Sequence, residues 1–322
     1  MKIWVTGGHG MVGTALYRRL AMDGHEVLAP ASRVLDLCDR RAVDAWLASH
    51  AGIRVVVHLA GRRGGLGARL ADPTGFFLDS LAIVTNVIDA TRRRGINRLV
   101  FVGTACVYPV DAVQPVVEEA LMTGPLEPHN EGYALARICG TRLCADMNAQ
   151  FGTRFLTLHP CNLIGPRDCF DPESGQVAPS LIARIERARR MQAPSVKVWG
   201  SGRACRDFLY VEDFVDAITF FVNNPDLVPR DRPWLNVGGG RDVSIAELAQ
   251  RIAETAGYRG RLEFDVSRPE GVSRRLLDIH RVTALGWKPL TSLSTALART
   301  IAWYRDTLPD SPTPSLSDST GV

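Results

Sequence analysis

The stretch "EGYALARICG" (131–140) sets Tyr133 and Arg137 four residues apart in what reads as a helix, so both side chains lie on one face. A phenol has an ordinary pKa near ~10, and proton transfer near neutrality needs its phenolate form stabilised. A permanent cation one turn away does that, and arginine is always charged. The usual cation in such a pair is lysine; the guanidinium here is larger, planar and hands on no proton. A second stretch, "VTGGHGMVG", places Gly7, Gly10 and Gly13 where a first strand gives way to a first helix. Gly7 suits the tight turn, Gly10 lets backbone approach a pyrophosphate, and Gly13 lets helix and strand pack closely. The helix N-terminus then offers unpaired N–H groups to the anion.

These groups need a frame. "KIWVTG", "HEVLAPA", "RVVVHLAG", "LVFVGTACVY" and "RFLTLHPCNLIG" read as strands, each nearly continuous in apolar residues and separated by helical patterns. A helix is expected to start near Asp39, another to run from Phe76 to Arg94, and Gly24 to close the first. Buried strands alternating with helices predict a parallel sheet covered on both faces, the doubly wound α/β class of Rossmann type. A smaller α/β substrate-binding cap is expected beside it. Residues 1–165 with about 207–242 are assigned to the dinucleotide domain, and about 166–206 with 243–308 to the cap. The proline- and serine-rich end, 309–322, reads as a disordered tail.

With 322 residues, 46% hydrophobic and 22% charged, the chain has the composition of a soluble globular protein. A net charge of +4, with no basic stripe interleaved with aromatics, gives no footing for nucleic-acid binding. The arginine runs at 91–95 and 187–191 read as solvated helix faces. Seven scattered cysteines suggest reduced thiols in a cytoplasm, and "MKIWVTGG" runs straight into a strand, so neither a signal peptide nor a membrane span is expected. No metal is expected. The second strand ends "LAPASRV" with Ser32 and Arg33 where an acid would hold a ribose and repel a 2′-phosphate. That favours NADP(H), with NAD the alternative.

Taken together, "TGGHGMVG", "GTACVYP", "LEPHNEGYALARICGTRLC", "HPCNLIGP", "VKVWGSGRACRDFLYVEDFVDA" and "RPEGVSRRLLD" resemble the GDP-L-fucose synthases, extended short-chain dehydrogenase/reductases, in order over residues 1–305. In that family a serine, tyrosine and lysine reduce a 4-keto sugar with NADPH, while a cysteine and a histidine move protons on the carbons flanking the ketone. The resemblance places Tyr133 at the tyrosine and Cys106 at the cysteine. It also shows departures: Thr104 for serine, Arg137 for lysine and Gln176 for histidine. An amide cannot titrate, so one of the two proton movers is missing, with Asp171 or His159 the nearest substitutes. The resemblance further implies cofactor contacts at Met11, Val12, Asp36, Leu37, Leu59, Ala60, Gly61, Pro160, Asn162 and Leu163. For the nucleotide sugar it implies Asn162, Val177, Leu181, Val198, Trp199, Arg206 and Arg268. A homodimer is implied through a four-helix bundle, with Leu81, Val84, Val87, Ile88, Ile138, Leu143 and Met147 as apolar positions in excess of one helix face.

The expected activity is reduction of a 4-keto GDP-hexose with one epimerisation at C3 or C5, or none. Two alternatives stay open: a redox-neutral GDP-sugar epimerase with bound NAD, and a catalytically weak dinucleotide-binding protein.

Overall fold

The computed structural model describes residues 1–62, 72–173, 175–268 and 271–307; the tail assigned to 309–322 lies outside the described residues. In chain order the elements are β1 (Lys2–Thr6), α1 (Met11–Met22), β2 (Glu26–Leu28), α2 (Arg40–Ser49), β3 (Ile53–His58), α3 (Pro73–Arg93), β4 (Arg98–Val102) and α4 (Glu131–Phe151). There follow β5 (Arg154–Pro160), β6 (Asn162–Ile164), α5 (Val177–Arg190), β7 (Ser195–Trp199), β8 (Cys205–Tyr210), α6 (Val211–Asn223) and β9 (Trp234–Val237). The last are β10 (Asp242–Ser244), α7 (Ile245–Ala256), β11 (Arg261–Asp265), β12 (Arg274–Arg275), α8 (His280–Ala284) and α9 (Leu293–Thr307).

The central sheet is parallel throughout, in the order β2-β1-β3-β4-β5-β9. Successive residues of a strand face opposite sides, and that alternation sorts the core into two layers. Ile3, Val5, Val55, Val57, Leu156 and Leu158 pack with α1 and α6 residues such as Leu16 and Phe214. Trp4, Val56, Leu99, Phe101 and Phe155 pack on the other face with Val43, Val84, Ile88 and Met147 of α2, α3 and α4. Helix ends follow local chemistry. The Asp39 carboxylate accepts from Arg41 and Ala42 N–H to start α2, and Asp72 accepts from Gly75 N–H to start α3, with Pro73 just inside.

Beside this lies a smaller unit, with β6, β8, β10 and β12 in one sheet and β7 paired with β11 in another. Of the stretch 207–242, α6 and β9 join the large sheet's layers. Asp207–Tyr210 runs instead in the small sheet, between β10 and β12.

Several expected strands are shorter. "HEVLAPA" pairs only over Glu26–Leu28, and "RFLTLHPCNLIG" breaks at Cys161 into strands of two different sheets. "LVFVGTACVY" leaves the sheet at Val102 and turns into a single 3-10 turn, Ala105–Val107, because the Thr104 side chain caps it by accepting from Cys106 N–H at 3.3 Å. Most of the apolar excess on α3 and α4 lies inside the protomer. Val84, Val87, Ile88, Ile138 and Met147 are buried inside the protomer, and Leu81 and Leu143 are half-buried. The two helices pack on each other, and Val84, Val87, Ile88 and Met147 pack with sheet residues in one core layer. Among the described residues no helix is long and apolar enough to cross a membrane.

Candidate active site

A cavity of about 760 Å³ opens at the carboxyl ends of β1, β2 and β3, where ligands bind in open parallel sheets. Its floor is the glycine turn. Gly7 has φ +69°, and a side chain there would strike the backbone of Ala60, 2.9 Å from its nitrogen. A Cβ on Gly13 would collide with the carbonyl oxygen of Gly7, so the glycine sets how closely α1 approaches β1. Gly10, Met11, Val12 and Gly13 then line the cavity with the opening turn of α1.

One side of the cavity is made by Pro30, Ala31, Ser32 and Arg33, which follow β2, with Asp36 and Leu37 beyond. Arg33 is exposed. Arg62, which also lines the cavity, is bound instead to Asp72 at 2.9 Å and Asp79 at 3.0 Å. The Asp36 carboxylate accepts from Cys38 N–H at 2.8 Å. Leu59, Ala60 and Gly61 after β3 complete the wall. Trp4, Thr6, Leu35, Arg62 and Ile83 line it too; nothing in the sequence marks them, since each reads as ordinary core or surface until the strands are assembled. Pro160, Asn162 and Leu163 do not line this cavity; the Asn162 side chain donates to Asp207 O at 3.0 Å.

Tyr133 and Arg137, both from α4, also line the cavity. Arg137 is buried, and its guanidinium carbon lies 5.3 Å from the centre of the Tyr133 ring and 5.3 Å from that of Phe101. Nη1 donates to Val102 O and Nη2 to Ala60 O, each at 3.2 Å. The helix-borne cation is thus tied to the ends of β3 and β4, and no carboxylate pairs with it among the described residues. Two buried histidines stand in its field. His58 shares a 2.7 Å hydrogen bond with Thr6, and burial, with Arg137 second, holds its pKa well below the usual range. His159 accepts from Thr104 N–H at 3.2 Å, and burial lowers it to about 3. Both are therefore neutral near pH 7, and Arg137 carries the charge. His159 is sealed within β5 and cannot stand in for the histidine that Gln176 replaces; it fixes the backbone of Thr104 instead.

Helix α4 packs on the 3-10 turn holding Thr104 and Cys106, which brings both beside the Tyr133 helix. Beyond Cys106 lie two largely desolvated arginines. Arg206 donates to Cys205 O at 2.8 Å and Arg275 to Pro109 O at 2.9 Å. Burial pushes both below the ordinary arginine range, offset by Glu127 and Cys106 nearby. Gln176 is exposed as the N-cap of α5, without a side-chain capping bond. Val177 is half-buried beside it, while Leu181 and Val198 are sealed in the core. Trp199 is flanked by two guanidiniums, Arg184 at 4.2 Å and Arg268 at 4.9 Å from its ring centre. Arg184 is one of several arginines on α5, marked only by its place over Trp199.

The sequence matches the NAD dependent epimerase/dehydratase family over residues 3–238. The chain belongs to that family. It is 40% identical to a GDP-L-fucose synthase of Sinorhizobium fredii over 92% of this chain and 93% of that one. With a GDP-L-colitose synthase of Yersinia pseudotuberculosis it shares 33% over 94% and 98% of the two chains. Among solved structures it superposes with a TM-score of 0.88 on a GDP-6-OMe-4-keto-L-xylo-heptose reductase of C. jejuni, 28% identical, covering 95% and 97% of the chains. A GDP-mannoheptose C4 reductase from Campylobacter jejuni with NADP bound gives 0.85 at 29% identity, covering 94% and 98%. Family membership makes the chain an NAD(P)-dependent nucleotide-sugar enzyme of the extended short-chain dehydrogenase type.

Proposed function

We propose that this enzyme reduces the 4-keto group of a GDP-hexose with NADPH and epimerises at most one of the flanking carbons. The observation that carries the reading is the unneutralised Arg137 guanidinium beside Tyr133 on the wall of the dinucleotide cavity. The glycine turn and α1 N-terminus suit the pyrophosphate, and Arg33, exposed at the cavity rim, suits the 2′-phosphate. NADPH, when bound, supplies the hydride. The Tyr133 hydroxyl gives its proton to the carbonyl oxygen as it becomes an alkoxide, and Arg137 stabilises the phenolate left behind. Thr104 orients the carbonyl from its strand-end turn. Cys106 is the one remaining titratable group at a proton-moving position, since Gln176 cannot give or take a proton. Arg206, Arg268 and Arg184, with Trp199 between the last two, hold the nucleotide diphosphate; guanidinium geometry suits that anion.

Reductases among the structural relatives support the emphasis on reduction. In this reading the large sheet's unit binds cofactor and the small sheets cap the sugar. Two copies assemble through the outer faces of α3 and α4, where Leu78 and Leu135 are exposed. The seven cysteines, none of them in a disulfide, fit a cytoplasmic setting.

The test is a panel of 4-keto GDP-hexoses incubated with NADPH in deuterated water. Oxidation of NADPH with deuterium at no more than one flanking carbon is expected. Conversion without net NADPH consumption would make the enzyme a redox-neutral epimerase. Deuterium at both carbons would assign the missing proton mover to another residue.

A further inference from the structure

Gly61 follows β3 on the cavity wall, and its backbone is not in the left-handed region, so the chain conformation does not demand glycine. The space does. Among the described residues, and apart from its chain neighbours, a Cβ at 61 has within 4 Å only Arg137, with Cζ at 3.3 Å and Nη2 nearer still. That is inside the roughly 3.5–4.0 Å of ordinary nonbonded contact. The end of an arginine usually swings aside cheaply, but this one is held. Nη2 is bonded to Ala60 O and Nη1 to Val102 O, the guanidinium carbon lies 5.3 Å from the ring centres of both Phe101 and Tyr133, and the side chain is buried. Its Nε is already buried without a partner, so a shift that broke either carbonyl bond would leave further polar groups unsatisfied.

We infer that Gly61 is a positioning residue: its missing side chain is what admits arginine as the cation of this site, and Gly61 and Arg137 act as a matched pair. A lysine in place of Arg137 would end where Cζ lies and lack Nη2, the atom that a methyl at 61 overlaps. In such a background a side chain at 61 costs little. The inference rests on the proposed reduction for its kinetic readout, but not for its structural one.

The experiment is a double-mutant cycle of Gly61→Ala, Arg137→Lys and the combined variant, read by kcat on the keto-sugar, by Kd for NADPH and by melting temperature. In the arginine background Gly61→Ala should lower kcat on the order of 10-fold or more and lower the melting temperature. In the Arg137→Lys background the same change should alter kcat by less than about threefold, because sites in contact couple. Should Gly61→Ala fail to fold alone, recovery in the double variant would support the pairing, and failure of both would overturn it. Equal cost in the two backgrounds would also overturn it. If the wild type turned over no 4-keto GDP-sugar, the functional reading would fall, while melting temperature and NADPH affinity would still report whether the two positions are coupled.

Discussion

Replacing Arg137 by Met removes the charge and leaves an unbranched apolar chain in its space. The guanidinium carbon lies 5.3 Å from the Tyr133 ring centre, and no carboxylate neutralises it among the described residues. At an effective dielectric of about 20, unit charges at that separation interact by about 3 kcal/mol. Stabilisation that grows as the tyrosine becomes anionic appears in the barrier, so kcat should fall by about 10²-fold. The change also frees the carbonyls of Ala60 and Val102. Relief from burying a cation opposes that loss, so the melting temperature should respond less than the rate. Arg137→Lys keeps the charge but cannot reach both carbonyls at once, and its rate should fall between those of wild type and Met. The assay is single-turnover NADPH oxidation with saturating keto-sugar, alongside NADPH affinity and melting curves. If Arg137→Met kept its rate within about threefold of wild type, the cation would be a strut between strands and the electrostatic account would be wrong.

Tyr133→Phe removes only the hydroxyl and should abolish turnover with NADPH affinity nearly unchanged; a wild-type rate would make Tyr133 a packing residue. Gln176→His restores a titratable group at the mouth of α5, and deuterium should then enter the second flanking carbon of the product; unchanged labelling would show that position 176 is not aimed at the sugar. Asp207, buried with one oxygen unpartnered, has its pKa raised by burial from 3.8 to about 7. Between those values the folded protein holds a proton that the unfolded chain has lost, so stability falls as pH rises through that window and levels off above it. Asp207→Asn keeps the acceptor for Gly239 N–H and should remove on the order of 4 kcal/mol of that pH dependence in denaturant melts from pH 4 to 8. Parallel stability curves for the two proteins would place the titration elsewhere.

Much of this molecule is written locally. The apolar runs of β1, β3 and β5, the glycine turn and the Asp39 cap depend on neighbours a few residues away. Periodicity therefore reveals the parallel sheet, its cofactor edge and the Tyr133–Arg137 face of α4. The sequence alone also marks the departures at Thr104, Arg137 and Gln176. What it does not carry is where buried polar groups find partners, because those partners come from strands far apart in the chain. Arg137 meets Ala60 O across 77 residues and Val102 O across 35, and His159 reaches Thr104 across 55. Most of the apolar positions that the spacing puts beyond one face of α3 and α4 pack inside the protomer, since burial counts neighbours in space and periodicity counts them only along one helix. Gly61 shows the limit most plainly: as a letter it is one glycine after a strand, and only the folded chain places the Arg137 guanidinium where its side chain would have been.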